Sequence, residues 1–188
     1  MKITLVRHAE VEEKYIGCYN GQIDIGLSPK GYVDAKELKK HFKASDFDAI
    51  FCSDLIRTKE TLKQFIKSDK VIYTKELREK SWGDYEGMSF EEITSTTNLT
   101  YVNFKQWTDA LGGEEIEKFI SRVEKFFFEY LPTLKKKNIL VVTHSGVIKT
   151  YLHLLKGISL EEAFSISVPY SSFVSYDNEN EKHAIITV

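Results

Sequence analysis

Arginine is scarce in this chain, four residues against 22 lysines, and two of the four stand where chemistry could be done. Arg7 follows the apolar run 3–6 and is followed at once by His8. Arg57 comes just after a second apolar run, 48–52, in the opening turn of the next helix, and a second histidine, His144, closes the run 138–142. The planar arginine fork grips phosphate in a bidentate way that lysine cannot copy. Histidine is the side chain whose ordinary pKa suits it to act as nucleophile, base or acid near neutrality. One such arginine is most simply a salt bridge or a cap; two arginines and two histidines at three strand ends point to a phosphate site. Other chemistries lack their signatures. There is no G-x-G-x-x-G, no P-loop, no C-x-x-C and no H-E-x-x-H, and the five histidines show no zinc-ligand spacing. Ser145 lies in Thr-His-Ser-Gly-Val, which is not a nucleophile elbow.

The elements that must position these residues follow from apolar periodicity. Runs 3–6, 48–52, 71–73 and 138–142 read as strands, the last apolar throughout and so central. Helices are expected over 31–42, 55–66, 89–96, around 101–110, over 114–134 and over 147–155, with Ser53 and Asp54 as caps of the second. The long helix carries the strongest pattern, Ile116, Phe119, Ile120, Val123, Phe127, Tyr130, Leu131 and Leu134, and Pro132 should kink or end it. Residues 10–29 and 77–87 read as loops, and 172–176 and 184–188 as two closing strands. Strands alternating with helices predict an α/β fold, a three-layer α/β/α sandwich on a mostly parallel sheet, as one domain over 1–188. Ligands of such sheets sit beyond the carboxyl ends of the strands, where Arg7-His8 and Thr143-His144 fall.

Composition sets the outer bounds. At 188 residues, 42% hydrophobic and 29% charged, the chain has a core to bury, and its charge of −2 supplies no general attraction to nucleic acid or anionic lipid. No apolar run approaches a membrane span, and the first one is too short for a secretory signal. Two cysteines, Cys18 and Cys52, fit free thiols in a reducing cytoplasm. The expected partner is therefore a small molecule, with no nucleic acid and no membrane. Oligomeric state is not legible.

Six motifs in order resemble the histidine phosphatases, the phosphoglycerate mutase-like superfamily. They are Leu5-Val6-Arg7-His8-Ala9-Glu10, the loop 17–28 ending Asp24-Ile25-Gly26-Leu27-Ser28, the string Ser53-Asp54-Leu55-Ile56-Arg57, the block Leu77-Arg78-Glu79 to Glu86-Gly87, Gly112-Gly113-Glu114, and Thr143-His144-Ser145-Gly146. The resemblance implies a double displacement. His8 would attack phosphorus through one ring nitrogen while the other donates to a backbone carbonyl. Arg7, Arg57 and His144 would hold the phosphoryl oxygens, and Glu79 would serve as acid and then as base. Asn20 and Gly21 fall where relatives contact substrate. No metal or other cofactor is implied, because the arginines supply the positive charge. Asp84 and Glu86 share Glu79's loop and are alternative acids.

Two positions depart from the family pattern. Ala9 replaces a glycine, which is tolerable where the backbone is not left-handed. Lys14 replaces an asparagine that touches phosphate in most members. Mutases of the family are usually longer than this chain, which favours a phosphatase. Among short members the motifs are most similar to the α-ribazole phosphatases of cobalamin biosynthesis, so the expected substrate is a small organic phosphate such as α-ribazole 5′-phosphate. A phosphoglycerate mutase and a broad-specificity sugar phosphate phosphatase are the alternatives.

Overall fold

Three neighbouring strands put the candidate residues side by side. The computed structural model describes residues 1–177 and Ile186. Its five strands are β1 (Lys2–Arg7), β2 (Ala49–Ser53), β3 (Val71–Thr74), β4 (Asn138–Thr143) and β5 (Phe173–Asp177), in the sheet order β3-β2-β4-β1-β5. The pairs β1–β4, β2–β4 and β2–β3 are parallel, and β5 lies antiparallel along β1. Register aligns Arg7 with Thr143 and Cys52 with Val142, so the carboxyl ends of β1, β4 and β2 finish together.

Strand alternation divides the core between two faces. Ile3, Leu5, Phe51, Ile139 and Val141 pack on one side with Phe119, Val123, Phe127 and Tyr151. Val6, Ile50, Cys52, Leu140 and Val142 pack on the other with Leu38, Leu62 and Phe65. The first set brings α5 (Ile116–Glu124) and α7 (Ser145–Lys156) onto one face; the second brings α2 (Ile56–Phe65) and the turn Leu38–Lys40 onto the other, with α1 (Pro29–Glu37), which leads into that turn, packed against α2. The expected three-layer α/β/α sandwich is the observed fold. Shorter helices add to it, among them α3 (Phe90–Thr96) and α4 (Phe104–Leu111) beside the site, and α6 (Leu131–Thr133) after α5.

Several boundaries differ from the sequence reading. Helix α1 begins at Pro29, two residues early, because the Ser28 side chain accepts from Gly31 N and proline suits the first helical position. A short helix, α8 (Leu160–Ser165), was not expected at all. Ser53 and Asp54 do not cap α2. Its cap is Leu55, without a side-chain bond, and the free Ile56 N–H donates to Asp24 Oδ1 instead. Asp54 holds Arg78 in a bidentate pair and Ser53 faces His144.

The long helix does not keep one period. It passes through a π-helical stretch, Lys125–Tyr130, before α6, and the extra residue turns Phe126 and Phe127 both inward while Tyr130 stays 43% exposed. Pro132 sits in that last turn, where its missing N–H and ring disfavour the ordinary bond pattern. The last expected strand lies outside the described residues except Ile186, which bridges Phe173. Among the described residues no helix is long and apolar enough to cross a membrane.

Candidate active site

His8 stands at the end of β1 with its backbone tied on three sides. His8 N donates to Thr143 O at 2.9 Å, His8 O accepts from Ser171 N at 3.2 Å, and the next amide, Ala9 N, donates to Thr61 Oγ1 at 2.9 Å. The imidazole Nδ1 lies 2.8 Å from Ala9 O. A carbonyl can only accept, so Nδ1 carries the hydrogen and Nε2 keeps its lone pair. Burial, then Arg57 and Arg7, hold the His8 pKa well below the ordinary 6.5. The ring is therefore neutral at physiological pH. Ala9 is not among the left-handed residues, so its methyl brings no backbone strain.

The two arginines approach from either side of β4, Arg7 at the end of β1 and Arg57 in the first turn of the helix after β2. Arg57 is 1% exposed; its Nη1 donates to Ile23 O at 2.8 Å and its Nη2 to Gly21 O at 2.6 Å. Burial pushes its pKa down to about 10, which leaves it charged at neutral pH. Arg7 Nη1 donates to Val168 O at 2.6 Å, and its guanidinium carbon sits 3.9 Å from the Tyr170 ring centroid. His144, wholly buried at the cap of α7, has its ring 5.2 Å from that of His8. Its Nε2 is 2.9 Å from Ser53 Oγ, and burial with Arg57 beside it keeps its pKa well below 6.5.

Glu79 faces the same space from the loop after β3. Its Oε2 accepts from Gly146 N at 2.9 Å and its Oε1 from Lys80 N at 3.0 Å. Gly146 leaves room for that carboxylate, since a Cβ there would stand 2.1 Å from Glu79 Oε1 and would displace it. Of the alternative acids, Glu86 is occupied elsewhere: its Oε1 accepts from Gln22 N and Trp82 N, both at 3.0 Å, which clamps two loops together. Neither Glu86 nor Asp84 lines the cavity that Arg7, His8, Arg57 and Glu79 share, a space of about 300 Å³. Asn20 and Gly21 line it as well. Asn20 Nδ2 donates to Tyr15 O, which leaves the buried Oδ1 unpartnered. Gly21 has a positive φ of 44°, and a Cβ there would strike Glu86.

Lys14 is exposed on a short turn, Glu13–Tyr15, with its Nζ 4.7 Å from the Tyr15 ring, and does not line the cavity. Sequence reasoning missed several lining residues, Tyr170 and Lys149 among them. Tyr170, against both Arg7 and His8, sits in Pro169-Tyr170-Ser171 where no motif marks it, and Ser171 takes a left-handed φ of 57° beside it. Lys149 lines the cavity one helical turn after Ser145, a spacing that could have revealed it. Trp82 is a cavity wall, whereas Trp107 is core.

Unpaired buried polar atoms concentrate here. Among the described residues six buried side-chain polar atoms have no partner, and four of them are Arg7 Nε, Arg57 Nε, His144 Nδ1 and Asn20 Oδ1. Buried polar groups are nearly always satisfied, so orphans gathered at one place are a ligand's partners in waiting. With Arg7, Arg57 and Lys149 against Glu79, the cavity suits an anion.

The two depressed histidines also tie stability to pH. Below 6.5 the unfolded chain takes up a proton at each ring that the folded chain does not, so stability is full above 6.5 and falls as pH drops below it. Each histidine contributes about 1.4 kcal/mol per pH unit in that window. Urea unfolding should therefore lose roughly 2–3 kcal/mol between pH 7.5 and 5.5, and about half of that loss should vanish in His8→Asn. An unchanged midpoint across this range would mean the rings are not held neutral.

A mostly parallel α/β/α sandwich with two arginines and two neutral histidines at three adjacent strand ends is the architecture of an enzyme that handles phosphate. The chain matches the model of the histidine phosphatase superfamily (branch 1) over residues 3–188, and it belongs to that superfamily. It is 31% identical over 171 residues to a probable phosphatase of Schizosaccharomyces pombe, covering 87% of this chain and 78% of that protein. It is 27% identical over 194 residues to phosphoserine phosphatase 1 of Hydrogenobacter thermophilus, covering 99% and 90%. The α-ribazole phosphatase of Shigella flexneri superposes with a TM-score of 0.80 at 25% identity, over 100% of this chain and 96% of that one. The chain is thus an enzyme of the phosphatase type.

Proposed function

We propose that this protein is a metal-independent phosphomonoesterase that works through a phosphohistidine. The observation that carries the reading is the set of orphaned buried atoms of Arg7, Arg57 and His144 around a His8 ring whose Nε2 holds a free lone pair. In the first step Nε2 attacks phosphorus in line, the bond from phosphorus to the ester oxygen breaks, and Glu79 gives its proton to the leaving alkoxide. In the second, water attacks the phosphohistidine, Glu79 takes the water's proton, and the electron pair of the P–N bond returns to Nε2. Arg7, Arg57 and His144 stabilise the equatorial oxygens in both.

For the substrate we take a small organic phosphate such as α-ribazole 5′-phosphate, supported by the motif resemblance and by the likeness to the Shigella protein. Tyr19, Trp82, Phe164 and Tyr170 offer apolar walls for an organic group. One observation favours a second reading. The Lys149 ammonium, held by Phe164 O at 2.8 Å, faces the same cavity and suits an ester whose alcohol part bears a carboxylate, such as phosphoserine or a phosphoglycerate. The test is hydrolysis in EDTA of α-ribazole 5′-phosphate beside phosphoserine, phosphoglycerates, phosphosugars and nucleotides. A kcat/KM at least about tenfold higher for α-ribazole phosphate supports the first reading, a difference of about 1.4 kcal/mol in transition-state binding. Preference for the carboxylate esters supports the second, and activity spread evenly leaves a broad-specificity phosphatase. Hydrolysis by no member of the panel would overturn the phosphatase reading, and interconversion of phosphoglycerates in its place would make the chain a mutase.

A further inference from the structure

The Gly-Gly-Glu motif and the fourth arginine have no part in the cavity, yet they meet on the loop that carries Glu79. Arg122, in the last turn of α5, places its fork on Glu114, with Nε 2.9 Å from Oε1 and Nη2 2.8 Å from Oε2. Its remaining terminal nitrogen, Nη1, donates to Glu76 O at 2.7 Å and to Arg78 O at 3.0 Å. The backbone of Glu114 reaches the other flank, with its N–H donating to Ser81 O at 3.1 Å. The carbonyls on both sides of Glu79 are thus held by these two residues, that of Arg78 by the Arg122 side chain and that of Ser81 by the Glu114 backbone, with the ion pair joining the two flanks. Both side chains are about five-sixths buried, at 15% and 16% exposed, so the pair is little screened by water. Gly113 lets the two backbones meet, because a Cβ there would stand 2.4 Å from Ser81 O.

We propose that Arg122 and Glu114 are positioning residues, which fix the Glu79 carboxyl at the ester oxygen by clamping the backbone on either side of it. The inference rests on the proposed role of Glu79 as the acid. A bidentate clamp matters here because proton transfer is sensitive to small displacements of the acid. Lysine at 122 would keep the charge and lose the fork.

Leaving-group dependence separates this role from general support of the fold. An alkyl ester such as phosphoserine needs its oxygen protonated as it leaves, whereas p-nitrophenyl phosphate releases a stable anion and does not. In Arg122→Met, kcat/KM for the alkyl ester is expected to fall about 10–100-fold while that for p-nitrophenyl phosphate changes less than about threefold. Arg122→Lys and E114Q should show the same selective loss in smaller measure, and they carry the test if Arg122→Met fails to fold. Glu79→Gln sets the limiting pattern. Equal losses on both esters, or none on either, would overturn the positioning role alone. Wild-type protein that hydrolyses neither ester, or a Glu79→Gln variant that shows no selectivity, would overturn the phosphatase reading or the role of Glu79, and this inference with it.

Discussion

His8→Ala is expected to abolish turnover and to leave no phosphoenzyme. The loss should be on the order of 10⁴–10⁶ in kcat, because the nucleophile acts as a unit with the groups around it and no other histidine lines the cavity among the described residues. His144 cannot take over. It is wholly buried, and its Nε2 is engaged with Ser53 Oγ. Rapid quenching with a labelled ester reads the intermediate directly, as label held on protein that is stable in alkali and lost in acid. The wild-type chain should show it and His8→Ala should not. Substantial residual hydrolysis in His8→Ala would sink the covalent mechanism, and labelled His8→Ala protein would place the acceptor elsewhere.

The sequence carried most of the fold because its strands are short and apolar, and the unbroken apolar run 139–142 leaves little choice but a central strand. It carried less where tertiary contacts overrode local pattern. The π-helical stretch could not be read from period, since one inserted residue exchanges Tyr130 for Phe126 at the core. Asp54 looks like a helix cap and is a salt-bridge partner of Arg78, a contact between residues 24 apart. At the site, the arginines and histidines announced themselves by type and by their place at strand ends. Tyr170 did not, because its contacts with Arg7 and His8 depend on β5 returning antiparallel to β1, and no spacing in the chain encodes that approach.

Arg57→Ala should cost about 10²–10³ in kcat/KM, as loss of one charge-stabilising donor does at other oxyanion and phosphoryl sites. The reasoning follows from where the guanidinium stands. It is buried and still charged, and two of its nitrogens are committed to Gly21 O and Ile23 O, while Nε has no protein partner. A charge desolvated to that degree destabilises the free protein, so it is tolerable only where something offsets it, and a dianionic phosphate between Arg57 and Arg7 would do so. Removing the side chain also frees two carbonyls of the 21–23 loop, each worth roughly 1–3 kcal/mol if left unpaired. Activity could then fall merely because the loop moves, and Arg57→Lys separates the two causes. Lysine restores a cation but not the fork, so it should recover binding of inorganic phosphate, read by competitive inhibition, more fully than it recovers turnover. An Arg57→Ala enzyme with normal kcat/KM would show that phosphate sits elsewhere in the cavity. A Lys variant as active as wild type would show that charge alone is needed, and that the two carbonyl bonds serve the loop and not the reaction.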